Sequence, residues 1–255
     1  MPCWCGESDL AEMMNLGGDE RIYPASMTKI MTALLTIENL PDLNETITVP
    51  EDIFEELTAQ DASVAGFNPY EQPTVRDLLY GVLLPSGADA CETLARAVGG
   101  SEEGFVAMMN QKAEELGLTN THFENCTGLH NDNHYSTCRD IAVLMSECLK
   151  SDTFREIVTR EVYTTEATAS HPEGITLYDT MLHRFTSYEM STTLENGAVI
   201  EGGKTGFTDE AGQCLVSFAE YGGEEYILVT AEAMTDSGSA VDSIADASTV
   251  YGRLQ

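Results

Sequence analysis

A chain of 255 residues, 42% of them apolar, is long enough to bury the core of one large domain or two small ones. Its 12 basic residues against 43 acidic ones give a formal charge of -31, which makes nucleic acid and the anionic face of a membrane poor partners and otherwise signals a soluble, self-repelling surface. No apolar run nears the roughly 18 residues that span a bilayer, and Met1 to Leu10 carries neither the basic nor the apolar region of a secretory leader.

In chain order, Pro24 to Leu40 predicts a buried helix entered through Pro-Ala-Ser, with Ile30, Met31, Leu34, Leu35 and Ile37 as its apolar stripe and Pro41 as its stop. A second helix is expected from about Thr74 to Leu84; it breaks at Pro85-Ser86-Gly87, resumes over Ala88 to Val98 and ends before Gly99-Gly100. Ser101 opens a third through Phe105, Met108, Met109 and Leu116, and Ser136 to Leu149 predicts a fourth with Ile141, Leu144 and Met145 inward. After about Tyr163 the character changes. Gln213 to Glu220 and Glu225 to Met234 are apolar runs joined by Tyr221-Gly222-Gly223-Glu224, the pattern of a β-hairpin, and Ser239 to Leu254 predicts a closing helix. With no repeat, low-complexity tract or Pro/Ser linker to divide it, the chain reads as one domain over 1–255, a helical lobe (roughly 50–160) set into a mixed sheet. Of the seven cysteines, Cys91, Cys148 and Cys214 fall in regular elements and are expected in the core as small apolar residues.

Three short motifs carry chemistry. In Ser26-Met27-Thr28-Lys29 the i and i+3 side chains share a face, so hydroxyl and amine can touch. Serine is a weak nucleophile without a base, and lysine is a base only where burial or a neighbouring cation lowers its pKa; a helix start inside the core offers that burial. Alone, however, a serine cap followed by a lysine is an ordinary helix start. Ser86-Gly87-Ala88 places a hydroxyl on the inter-helix turn, where it could relay a proton or simply shape the turn. Lys204-Thr205-Gly206, between Gly202-Gly203 and Phe207-Thr208, offers a cation and a hydroxyl to a carboxylate along a strand that glycines let a ligand approach; a tight turn holding a lysine is the plain alternative.

Taken together in this order, the three resemble the SxxK, SxN and KTG signatures of penicillin-binding proteins and serine β-lactamases. The text around them, Tyr23-Pro-Ala-Ser-Met-Thr-Lys, Leu84-Pro-Ser-Gly-Ala-Asp-Ala, Gly203-Lys-Thr-Gly-Phe-Thr, Phe105 to Leu118, Thr127-Gly-Leu-His and Tyr135-Ser-Thr, looks like low-molecular-mass penicillin-binding proteins of the serine-type D-alanyl-D-alanine carboxypeptidase family, from about Asp19 to Met234. The resemblance implies an α/β fold of the α+β type, like that of serine β-lactamases and penicillin-binding transpeptidases, its mainly antiparallel sheet flanked by helices. It implies Ser26 as nucleophile, Lys29 as its base and Ser86 as proton shuttle. Lys204, Thr205, Gly206 and Phe207 would bind substrate, and the backbone N–H groups of Ser26 and Phe207 would form the oxyanion hole. No metal and no organic cofactor is implied. The partners implied are peptidoglycan stem peptides, with β-lactams as covalent inhibitors, and the place of work is extracytoplasmic. Nucleic acid is not expected, membrane contact is expected only through segments absent from this chain, and a monomer is expected. Two departures stand out. Ala88 occupies the position where the second motif usually has Asn, which predicts a slower enzyme, and Met1 to Gly18, with Cys3 and Cys5, shows little of the family's first strand, which is therefore expected to be truncated.

Other readings compete. Cys126, His130, His134 and Cys138 recur every four residues, as a zinc site on a helix would, but Gly128 and Asn131-Asp132-Asn133 oppose a continuous helix there. In an exported protein Cys126 and Cys138 could instead form a disulfide. A serine β-lactamase ranks second among enzymes, because no Glu-x-x-Leu-Asn stretch lies between Ser151 and Lys204. Ala88 also keeps a noncatalytic penicillin or stem-peptide binder in view. Arg184 could face a substrate carboxylate or serve as a surface or ion-paired arginine.

Overall fold

In the computed structural model, which describes residues 2–6, 11–233 and 241–255, seven strands form in chain order: β1 (Pro2–Gly6), β2 (Ala11–Asn15), β3 (Val162–Thr164), β4 (Thr176–Tyr178), β5 (Val199–Thr208), β6 (Gly212–Tyr221) and β7 (Glu224–Ala233). Five of them build one antiparallel sheet in the order β2-β1-β7-β6-β5, and β3 pairs with β4 in a separate ribbon. The helices are α1 (Lys29–Asn39), α2 (Ile53–Ala59), α3 (Val75–Leu83), α4 (Ala88–Gly99), α5 (Glu102–Glu115), α6 (Cys138–Cys148), α7 (Asp152–Val158), α8 (Leu182–Ser187) and α9 (Asp242–Tyr251), with a 3-10 turn over Ala25–Thr28 leading into α1.

The caps explain where the predicted helices begin. Thr74 and Asp77 exchange hydrogen bonds in a capping box at the head of α3, and the Ser101 hydroxyl accepts from Gly104 N–H at 3.1 Å to start α5. The fourth helix starts later than expected, because the backbone of Ser136 is already paired with Ile22 in both directions; Thr137 becomes the cap, accepting from Asp140 N–H at 3.1 Å. The hairpin stands as β6 and β7 and the closing helix as α9; the expected termini Met234, Ser239 and Ala240 lie outside the described residues.

The amino end departs from expectation. Instead of a truncated strand it supplies two, and β1 lies inside the sheet between β2 and β7. Backbone pairing places these strands, while Ala11, Glu12 and Met13 of β2 face solvent and therefore need no apolar alternation. The lobe of α1 to α7 shares one apolar core with one face of the sheet. The opposite face carries Leu215 and Leu228 and is covered by α8 and α9 through Phe185, Ile244 and Tyr251. Tyr251 is fully buried and stays hydrogen-bonded, donating to Ser217 O at 2.9 Å.

Cys91, Cys148 and Cys214 are core residues as expected, and Cys126 and Cys138 join them there, unlinked to each other. The suggested Cys126–Cys138 disulfide is therefore corrected. Cys126 Sγ donates to Glu92 Oε1 at 3.5 Å, while Cys138 is packed in the first turn of α6.

Candidate active site

Ser26 lies in the 3-10 turn and Lys29 is the first residue of α1, so the i, i+3 spacing brings them face to face: Lys29 Nζ donates to Ser26 Oγ at 3.1 Å. The same amine donates to Thr127 O at 2.5 Å. Lys29 is 3% exposed, and burial pushes its pKa below the ordinary lysine value against the opposing pull of Cys91, Cys126 and Asp89. The Thr127 carbonyl is aimed by a small turn: Asn125 Oδ1 accepts from Thr127 N–H at 3.2 Å and Gly128 N–H at 2.7 Å, and Asn125 Nδ2 donates to Leu129 O at 2.9 Å. Gly128 has φ +83°, and a Cβ there would fall 1.9 Å from Ala25 O and 3.0 Å from Ser26 N. Only glycine lets this loop rest on the turn that holds the serine.

The second motif occupies the break between α3 and α4. Ser86 adopts φ +67° and is 6% exposed, and its Oγ has no hydrogen-bond partner among the described residues. Such backbone strain costs on the order of 1–3 kcal/mol and persists where surrounding structure imposes it. Here Asp89, in the first turn of α4, accepts from Ala65, Gly66 and Phe67 N–H at 2.7, 2.9 and 3.1 Å, fastening a second loop beside Gly87. Ala88 is buried and bound through its N–H to Ser63 O at 2.7 Å, so a methyl stands where an amide was expected.

The third motif runs along β5 at the sheet edge. A Cβ on Gly206 would lie 3.0 Å from Pro24 O and 3.1 Å from Ser26 N, which brings this strand directly against the Ser26 turn. Lys204 is fully buried and donates to Thr205 O at 2.9 Å; burial, reinforced by Lys29, lowers its pKa to about 7, while Asp179 opposes the shift. Thr205 Oγ1 lies 2.6 Å from Thr180 Oγ1, and Thr180 N–H donates to Leu84 O at 3.1 Å, so a single threonine ties the second motif's loop to the third motif. Asp179 accepts from Met181 and Leu182 N–H at 2.9 and 2.7 Å, and burial raises its pKa to about 7. Arg184 is partly buried, and its charge acts on both Asp179 and Lys204. The Phe207 ring is 54% exposed, following Lys204 to Gly206 out of the buried stretch of β5.

The structure thus brings Ser26, Lys29, Lys204, Thr205 and Gly206 together, and places the start of α4 beside both lysines, each of which acts on the Cys91 thiol. Asp89, the Thr127 carbonyl, Asp179 and Thr180 were not singled out beforehand; Asp89 and Thr127 lie within family-like text, but the placement of Asp179 and Thr180 emerges only from the fold. The Cys/His four do not converge. His134 Nε2 lies 2.8 Å from Thr28 Oγ1, His130 packs edge-on against Tyr23, Cys126 turns to Glu92 and Cys138 enters α6, so the zinc reading loses its geometric basis. Among the described residues, the group whose potential ligand atoms lie within 4.8 Å of one another is instead Glu92, Glu102 and Cys126.

A serine hydroxyl 3.1 Å from a buried lysine amine, set between a helical lobe and the edge of an antiparallel sheet, has the geometry an active-site serine needs if lysine is to be its base. The chain matches the D-alanyl-D-alanine carboxypeptidase family model over residues 13–235 and belongs to that family. It is 35% identical over 231 residues to a D-alanyl-D-alanine carboxypeptidase of Bacillus subtilis (strain 168), covering 90% of this chain and 56% of the relative, and 36% identical over 217 residues to one of Streptomyces sp. (strain K15), covering 82% and 72%. The chain thus spans little more than half the length of the Bacillus relative. The crystal structure of the Streptomyces K15 DD-transpeptidase superposes with a TM-score of 0.83 at 30% identity over 98% of this chain and 95% of that one. A D-alanyl-D-alanine carboxypeptidase from Mycobacterium tuberculosis H37Rv gives 0.80 at 25% identity, over 98% and 89%. The expected fold class is the one found.

Proposed function

We propose that this chain is the catalytic domain of a serine-type D-alanyl-D-alanine carboxypeptidase acting outside the cytoplasm on peptidoglycan stem peptides. Ser26 Oγ attacks the carbonyl carbon between the two terminal D-alanines, and Lys29, whose pKa burial lowers, takes the hydroxyl proton as its neutral amine. The tetrahedral oxyanion is received by the N–H groups of Ser26 and Phe207. As the peptide C–N bond breaks, the proton passes through Ser86 to the departing D-alanine nitrogen, and water then adds to the acyl-serine, releasing the shortened stem and restoring Ser26. Lys204 and Thr205 hold the terminal carboxylate. β-Lactams acylate the same oxygen, and the cycle as written calls on no metal or organic cofactor.

The observation that carries this reading is the Lys29 amine 3.1 Å from Ser26 Oγ in a buried setting. The test is incubation with a fluorescent penicillin, mass-spectrometric location of the adduct, and D-alanine release from a diacetyl-lysyl-D-alanyl-D-alanine peptide by the same preparation. Label on Ser26 with release is expected; folded protein without label on Ser26 overturns the mechanism. A second reading, a binder that acylates but turns over poorly, is favoured by one observation, the Ala88 methyl in the second motif, whose missing amide is worth about 1–3 kcal/mol, or one to two decades in rate. Label without release would select it.

A further inference from the structure

His134 is a titratable group in hydrogen-bond contact with the nucleophile's turn that the proposed cycle does not use. It is 2% exposed, and Phe123 packs edge-on against its ring, with centroids 5.6 Å apart. Its Nδ1 accepts from Glu124 N–H at 3.1 Å, so the proton of the neutral ring sits on Nε2 and is donated to Thr28 Oγ1 at 2.8 Å. Burial lowers its pKa to about 3, with His122, Lys29 and His130 adding to the shift, and the ring stays neutral throughout the working range.

These two bonds join the two pieces that make up the Lys29 environment. Thr28 lies between Ser26 and Lys29 on the 3-10 turn, and Glu124 opens the loop whose Thr127 carbonyl receives the Lys29 amine. We propose that His134 is a positioning residue for acylation: by holding Thr28 to the 124–128 loop it sets the separation between Lys29 Nζ and Ser26 Oγ. It touches no reacting atom. The inference rests on the acyl-serine reading above, and it assigns to His134 a part in the rate of the chemical step rather than in substrate binding.

The test uses substitutions that keep one bond and delete the other. In His134→Gln the amide nitrogen can stand in for Nε2–H and keep Thr28, whereas in His134→Asn the shorter amide offers its oxygen to Glu124 N–H and gives up Thr28. Thr28→Val deletes the same bond from its other end with nearly unchanged shape. For each, the limiting rate and the half-saturating concentration of Ser26 acylation by fluorescent penicillin are measured beside the Tm. With a lost hydrogen bond in a closed site worth about a tenfold change in rate, His134→Asn and Thr28→Val are expected to acylate about tenfold more slowly with unchanged half-saturation. His134→Gln is expected to stay within about threefold of wild type, and the His134→Asn, Thr28→Val pair together to be no slower than either alone, as a shared bond requires. Equal rates for the Gln and Asn variants, additive losses, or losses that track Tm whichever bond is kept would overturn the proposal. Should the Asn variant fail to fold, Thr28→Val decides alone. Wild-type protein that takes no label defeats the parent mechanism, whereas labelled wild type with Thr28→Val at the same rate defeats only the role of His134.

Discussion

Replacing Gly128 by alanine places a methyl carbon 1.9 Å from Ala25 O, 2.4 Å from Ala25 C and 3.0 Å from Ser26 N. Ordinary contact begins at 3.4 Å, so the loop and the serine's turn must separate by about 1.5 Å, and both sides are backbone, which no rotamer change relieves. The Thr127 carbonyl moves with the loop, so Lys29 loses an acceptor and its 3.1 Å approach to Ser26 opens. A misplacement of about 1 Å at a reacting pair costs on the order of a hundredfold in rate. We therefore expect Gly128→Ala to take up fluorescent penicillin about a hundred times more slowly. Its stability should fall by about 1–2 kcal/mol for the left-handed backbone and about 1–3 kcal/mol more for the overlap. Gly100→Ala is the matched control. Its φ of +75° carries the same backbone cost, but nothing lies within 4 Å of the added carbon, so labelling should be unchanged and the Tm should fall by only a few degrees. Labelling of Gly128→Ala within threefold of wild type, with a Tm like that of Gly100→Ala, would refute the claim that the loop bears on the nucleophile.

Lys204, whose pKa is lowered to about 7, holds a carboxylate only as the ammonium, the form present below that value. Hence kcat/KM for D-alanine release should fall as pH rises past about 7, with the change in KM. Lys204→Arg, which stays charged, should lose that alkaline limb while running about tenfold slower overall because of its bulk; a limb that persists in the variant would count against the assignment. Cys126 and Cys138 are not bonded to each other, so peptide mapping of alkylated, unreduced protein should recover the Cys126 and Cys138 peptides unlinked. A linked Cys126–Cys138 peptide would contradict the structure.

The parts of the site that were legible in the sequence are those whose chemistry is local. Ser26 and Lys29 are three residues apart on one turn, so spacing puts them on a shared face, and Lys204 to Phe207 are consecutive on one strand, so they reach the site together although alternate side chains point to opposite faces. Long amphipathic helices such as α1 and α3 were equally plain. The two-turn helices α2, α7 and α8 were not, since each buries only two or three side chains and leaves too little periodic signal. Strands β1 and β2 were missed because neither stretch of sequence shows apolar alternation, and backbone ladder pairing places them. The remainder of the site is tertiary: Asp179 and Thr180 gain meaning only where β5 passes them, and the Thr127 carbonyl is a backbone group that no residue type announces. The four-residue recurrence from Cys126 to Cys138 carries no facing, as Gly128 and Asn131-Asp132-Asn133 indicate, because the segment is loop over most of its length.

Because the Lys29 amine owes its lowered pKa to burial, and because its neighbours arrive from Thr127 and from the edge strand β5, the proposed mechanism implies that Ser26 gains its reactivity only in the assembled structure. The long-range pairing of β1 with β7 delays completion of the sheet until almost all of the chain is available. A growing or unfolded chain, although it contains every catalytic side chain, would be inert towards a β-lactam, so covalent labelling of Ser26 serves as a chemical clock for maturation of the whole fold.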